Sequence, residues 1–219
     1  MRSGSRKRQE QRLRQLLQFD RKLQRQRKIP SSLTAGIDEV GRGPLAGPLV
    51  ACALILHKSR FTVSIDDSKV LSPAAREVAY RQILPSADIG IGFVTPQEID
   101  SIGIHSACGL AMVRAIRRLP DLPAMAFIDG PWIPRGCPVP AVPIVDGDSK
   151  SLAIACASIV AKVIRDRLMV RVHGIIPEYG FRRHKGYGTR EHLTALRAIG
   201  PSSFHRFSFQ PIRGVESFV

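Results

Sequence analysis

Three short apolar runs in this chain stop at carboxylates: GIDE at residues 36–39, MAFID at 125–129, and the run that leads into VDGD at 145–148. Runs of strand length fall at 35–38, 49–56, 87–94, 125–129 and 142–145. Stretches of helical periodicity lie between and after them, at 72–84, 105–119, 151–173 and 189–199. Strands interleaved with helices predict an α/β domain, a mixed β-sheet flanked by helices. Ligands of such sheets sit in the crevice beyond the strand ends. Acids that close several strands are therefore expected to share one sheet edge, Asp148 among them, although about ninety residues separate Asp38 and Glu39 from Asp129.

Neighbouring residues of a regular strand point to opposite faces, so Asp38 and Glu39 could not converge from inside one. At a strand end the constraint relaxes. Gly41 and Gly43 follow at once and allow positive φ and close backbone approach. A solvated acidic turn is the plainer alternative for this stretch, and a turn aspartate for Asp129. At 145–148 either Asp146 or Asp148 can be the inward acid. Asp66 and Asp67 in IDDSKVLSP read as loop and helix-cap residues, with Ser72 and Pro73 as N-cap and first helical position. Ionised carboxylates gathered in a few ångströms raise one another's pKa unless a cation offsets the repulsion. Oxygen ligands suit hard ions, which makes Mg²⁺ or Mn²⁺ the expected cofactor, as a pair acting in phosphodiester cleavage.

Charge is partitioned along the chain. Residues 1–28 carry a net +9 and residues 162–219 a net +7, whereas residues 29–161 carry −1. Basic ends attract a polyanion and an acidic middle repels it, a conflict resolved if the acids hold metal ions. Nucleic acid is the expected partner. The 219 residues suit one α/β domain with an extension: a basic N-terminal segment, 1–33, and a catalytic domain, 34–219, whose C-terminal part is helical. Leu13, Leu16, Leu17 and Leu23 recur near a helical period inside the Arg- and Gln-rich N-terminal segment. It reads as a basic helix, either a solvated arm or a nucleic-acid contact. No apolar run approaches a membrane span and no secretory signal is visible. The four cysteines form no CxxC pair and read as reduced packing residues. A cytosolic monomer is expected.

The stretches GIDEVGRGPLAGPLVA, DDSKVLSP, FIDG, GDSKSLAIACASIVAKVIRDRLM, YGFRRHKGYGTREHL and HRFSF, in this order, closely resemble the bacterial ribonuclease HII family. The resemblance covers about residues 16–211. It implies a ribonuclease H-like fold and a metal-dependent endoribonuclease. Such an enzyme hydrolyses the RNA strand of RNA–DNA hybrids and nicks 5′ of single ribonucleotides embedded in duplex DNA, leaving 3′-hydroxyl and 5′-phosphate ends. The family's metal-binding acids fall on Asp38, Glu39, Asp129 and Asp148, its glycine-arginine-glycine loop on Gly41, Arg42 and Gly43, and its junction-sensing tyrosine on Tyr187. The extra basic residues before position 16, Gly188 where Ala is frequent, and Cys156 in an alanine-rich helix are the departures, and none is a ligand position.

Only the 2′-hydroxyl separates a ribonucleotide from a deoxyribonucleotide. Backbone at Gly41 and Gly43 can lie flush with a sugar edge, and the Tyr187 ring can pack on the adjoining deoxyribose. Arg42 is expected to contact phosphate, or else to pair with one of the acids. The basic cluster Arg182, Arg183, His184 and Lys185 is expected at phosphates. Lys162, Arg165 and Arg167 form no single stripe, and some of them read as solvated charges. His105, His192 and His205 are expected to be structural.

Overall fold

A computed structural model describes residues 2–213, and the side chains of residues 7–213. Helix α1 (Arg2–Arg27) precedes β1 (Thr34–Val40), β2 (Leu49–Leu56), α2 (Pro73–Ile83), β3 (Ala87–Val94), α3 (Pro96–Ile102) and α4 (Ile104–Ile116). Then come β4 (Met125–Asp129), β5 (Ala141–Ile144), α5 (Leu152–Ile175), the short α6 (Phe181–His184) and α7 (Arg190–Ile199). Ser72 caps α2 by accepting the Ala75 N–H, with Pro73 behind it, as the sequence predicts. Helix α3 lies outside the expected elements, although Thr95, Pro96 and Glu98 spell its capping box.

The sheet order is β3-β2-β1-β4-β5, with β1–β2 and β2–β3 antiparallel and β1–β4 and β4–β5 parallel. The mixed α/β architecture is the expected one. Strand alternation then divides the core. Ala35, Ile37, Leu49, Ala51 and Ala53 pack with Ala111 and Ala115 of α4, while Cys52 and Leu54 pack with Ala155, Cys156 and Ile159 of α5. Helix α5 lies hard against β1 at Gly36, where a Cβ would stand 2.2 Å from the Ala153 carbonyl carbon. Glycine there lets the start of α5 reach the edge where the acids collect.

Helix α1 is docked on this scaffold. Leu16 is fully buried in the core beneath α5, with Leu13 and Leu17 beside it. Buried Asp20 accepts the Ala153 N–H at 3.0 Å, capping α5 from another element. Its other oxygen has no hydrogen-bond partner, and burial raises the Asp20 pKa to about 6. Arg12 donates to Asp66 Oδ1 at 2.6 Å and to the Ser149 carbonyl at 2.8 Å. The apolar stripe read from the sequence is therefore a core-facing stripe. Among the described residues no helix is long and apolar enough to cross a membrane.

Candidate active site

The register of the parallel strands explains how distant acids meet. Ile37 pairs with Ile128, so Asp38 and Asp129 are the next step on adjacent strands and emerge together at the carboxyl edge. Strand β5 continues that edge, pairing Ile144 with Asp129, and a 3₁₀ turn, Gly147–Ser149, swings Asp148 back over it. Oxygens of Asp38, Asp129 and Asp148 all lie within 4.8 Å of one another. The Gly147 N–H donates to Asp129 Oδ1 at 2.6 Å, fixing the turn to the strand end. Asp146 is exposed, with φ of 55°, and faces Lys150, which leaves Asp148 as the inward acid.

Glu39 stands apart from this trio. Strand β1 does not end at Asp38: pairing continues through Glu39↔Ala51 to Val40↔Val50. The two acids therefore sit on opposite faces, Asp38 on the α5 side and Glu39 on the α4 side, because the long apolar β2 holds β1 in register past the pair. The expected convergence by early strand termination is corrected. Glu39 lies outside the 4.8 Å trio but is close enough to interact with Asp38 and Asp129 through its charge. Its carboxyl is pushed up by burial and then by the charge of Asp129, against a downward pull from Arg42.

Burial, followed by the charges of Glu39 and Asp129, pushes the Asp38 carboxyl well above its ordinary value. The Ser158 hydroxyl donates to it and in turn takes a hydrogen bond from Ser68, 2.9 Å away. Asp129 is raised by burial and then by Asp148. Lys69 meets this negative charge by donating to Asp148 Oδ2 at 2.9 Å. Burial pulls its ammonium pKa down, but Asp148, with Asp67 and Asp38, more than reverses that and the value is raised. Buried Arg76 bonds the carbonyls of Ser68 and Leu71, each at 2.6 Å, and so shapes the loop that delivers Lys69. Asp66 and Asp67 lie in this loop, binding Arg12 and the Lys69 N–H. Lys69 is a site residue absent from the sequence-based expectations. Its signal is the DSK that follows Asp66.

Beside the acids, Gly41 has φ of 97°, and a Cβ there would meet the Arg165 Nε at 2.3 Å. Arg42 and Gly43 are exposed. Gly43 faces Tyr187, since its Cβ would lie 4.0 Å from the ring's Cε1. The loop and the tyrosine, about 145 residues apart, thus form one surface. Lys162 stands over the Tyr187 ring at 5.8 Å. Behind the ring, His192 donates from Nδ1 to the Tyr187 carbonyl at 2.9 Å. Its Nε2 accepts from His205 Nε2 at 3.0 Å, and His205 Nδ1 accepts the Ser202 N–H. Burial lowers both imidazole pKa values, His205 to about 4, which keeps this relay neutral.

The basic cluster divides. His184 is buried, with Nε2 donating to the Tyr179 carbonyl and Nδ1 accepting the Gly186 N–H, so it braces the turn from inside and does not face phosphate. Arg183 is exposed and forks onto Glu191. Lys185 is half-buried and bonds the Arg182 carbonyl. Arg165, one of the three helix cations of which some are expected to be solvated, is fully buried, as is Arg206.

The family model described as ribonuclease HII matches residues 35–212. A ribonuclease HII of Chlamydia trachomatis serovar A is 48% identical over 184 residues, covering 83% of this chain and 84% of that one. One from Xanthobacter autotrophicus is 51% identical over 180 residues, covering 82% and 72%. Among solved structures, ribonuclease H2 from Pyrococcus horikoshii OT3 superposes with a TM-score of 0.69 at 24% identity, covering 82% of this chain and 95% of that one. The ribonuclease HII of the Archaeoglobus fulgidus PCNA complex gives 0.66 at 27% identity, covering 81% and 95%.

Proposed function

Because this chain belongs to the ribonuclease HII family and is an endoribonuclease of RNA–DNA hybrids, we propose that it also nicks duplex DNA 5′ of a single ribonucleotide, by two-metal hydrolysis at Asp38, Asp129, Asp148 and Glu39. The carboxylate trio carries this reading. Three oxygens within 4.8 Å, with Asp38 and Asp129 pushed toward protonation, form a cage short of positive charge, and a hard divalent ion fits its all-oxygen donor set. Asp38, Asp129 and Asp148 would hold Mg²⁺ or Mn²⁺, with Glu39 approaching from the α4 side. When bound, such ions supply water activation and neutralise charge on the leaving oxygen.

The chain's own residues do the rest. Lys69 orients Asp148 by donating to its Oδ2. Ser158 holds Asp38 in place from below. The backbone of Gly41 and Gly43 lies against the 2′-hydroxyl, Arg42 takes a flanking phosphate, and the Tyr187 ring packs on the deoxyribose at the junction. Arg183 and Lys185 contact the duplex backbone at the rim, and His184 supports them through the turn. The product ends are a 3′-hydroxyl and a 5′-phosphate.

A duplex carrying one ribonucleotide, incubated with Mg²⁺ or Mn²⁺, should be nicked once on its 5′ side. If hybrids are cut and this substrate is left whole under both ions, the embedded-ribonucleotide reading fails. Tyr187→Ala should slow the one-ribonucleotide substrate roughly tenfold more than a long RNA–DNA hybrid, the scale of an aromatic ring stacked on a nucleotide. Equal slowing of the two substrates would remove its junction role.

A further inference from the structure

Two buried guanidinium groups lie under the glycine-arginine-glycine loop, bonded to backbone carbonyls. Arg206 donates to the carbonyls of Gly41 at 2.6 Å, Arg42 at 3.1 Å and Gly47 at 2.8 Å. Arg165 donates to Ala46 at 3.0 Å, Pro48 at 2.9 Å and, across to the other recognition loop, Lys185 at 3.0 Å. Both side chains are fully buried, and a charge removed from water onto carbonyl ligands is costly to keep. Nothing in the cleavage chemistry uses either group.

Their effect follows from peptide geometry. In a trans peptide the N–H lies opposite the C=O, and the cis bond described in this chain is Gln210–Pro211. Drawing the carbonyls of Gly41 and Arg42 down onto Arg206 turns the N–H groups of Arg42 and Gly43 the other way. Burial agrees: Arg42 and Gly43 are exposed, while Gly41 and residues 44–47 are buried. The neighbouring amides are used internally, Leu45 N–H on the Gly186 carbonyl and Gly47 N–H on that of Phe204, and Pro44 and Pro48 have none. Two adjacent donors are thus presented outward beside the Tyr187 ring. The Arg165 bond to Lys185 and the Leu45 bond to Gly186 make the two loops one body.

We propose that Arg165 and Arg206 are positioning residues that set ribose selectivity, by capturing the loop carbonyls so that the Arg42 and Gly43 amides face the sugar. This rests on the reading above that the loop recognises the 2′-hydroxyl. Arg206→Lys keeps the charge but cannot span three carbonyls in the plane of a guanidinium. The experiment compares binding to two duplexes that differ by one ribonucleotide, in chelator so that nothing is cut, with thermal unfolding recorded for each variant. The wild type should prefer the ribonucleotide duplex about tenfold, the worth of one to two neutral hydrogen bonds. Arg206→Lys should lose that preference while weakening binding to all-DNA duplex far less, since the side chains that bind phosphate, Arg42, Arg183 and Lys185, are all retained and only the backbone beneath them is released. Arg165→Lys should do the same. A cooperatively folded variant that keeps the full preference overturns the proposal. A wild type with no preference overturns the loop reading itself, a different result.

Hydrogen exchange of the unmodified protein, read by NMR, serves if either variant fails to fold. The Arg42 and Gly43 amides should exchange quickly in the free protein and slow on the ribonucleotide duplex more than on all-DNA duplex. Protection of both amides in the free protein would show that they point inward, and would end the proposal.

Discussion

Asp129→Asn is expected to bind a ribonucleotide-containing duplex nearly as well as the wild type and to turn it over about a thousandfold more slowly. That factor is roughly 4 kcal/mol of lost stabilisation, the scale of charge neutralisation by a held metal ion. Asparagine can still accept the Gly147 N–H that Asp129 Oδ1 takes at 2.6 Å, so the turn bearing Asp148 should survive the change. A second effect has the opposite sign. The carboxyl pKa values of Asp38 and Asp129 are raised in the folded protein. The fold therefore binds more protons than the unfolded chain, and metal-free stability falls as pH rises above the ordinary aspartate value of about 3.9. Removing one charge relieves that fall. In chelator, Asp129→Asn should melt above the wild type, by a margin that widens from pH 5 to pH 7.5. Mn²⁺ should raise the wild-type melting temperature most at the higher pH and raise the variant's little. Full turnover in the variant would take Asp129 out of the site, and a melting temperature below wild type in chelator would contradict the repulsion between the acids.

What the sequence conveys, and what it hides, follows the range of each interaction. The strand runs and their closing acids are legible because period, length and residue type are local. Asp38, Asp129 and Asp148 meet because three of those runs become parallel neighbours. The end of β1 is misleading for a non-local reason. Where β1 ends depends on how far β2 pairs with it, and the run LVACALIL carries the ladder to Val40. Arg165 and Arg206 are illegible for a like cause, since their ligands are backbone carbonyls of a loop, which no residue type announces. His184 sits in a basic run and takes its inward orientation from the αL turns at Gly180 and Lys185. Lys69 has a visible signal in DSK, but its partner Asp148 lies 79 residues on.

Helix α1 makes the largest stability prediction, and it bears on what the basic N-terminus does. Deleting residues 1–28 should leave a chain that does not fold cooperatively. The deletion uncovers the core face that Leu16 fills, removes the Asp20 bond to the first turn of α5, and frees the Ser149 carbonyl next to Asp148 from Arg12. Leu16→Ala alone should cost about 2–5 kcal/mol, the range for truncating a buried leucine. In a domain of this size that is a fall of roughly 5–15 °C in melting temperature. A fully stable truncated protein would show that this docking contributes nothing. Truncation therefore cannot test whether the positive charge of α1 grips nucleic acid, because it disturbs the site at the same time. The exposed residues can. Arg14, Lys22 and Arg25 face solvent while Leu16 and Asp20 face the core, so changing the three to Gln should leave melting unaltered. If these cations neutralise phosphates, the slope of log binding constant against log salt should flatten by about 0.9 for each phosphate that is no longer neutralised. An unchanged slope would make α1 a scaffold helix alone, its charge serving solubility, and would leave the grip on the duplex to the loops around Arg42 and Tyr187.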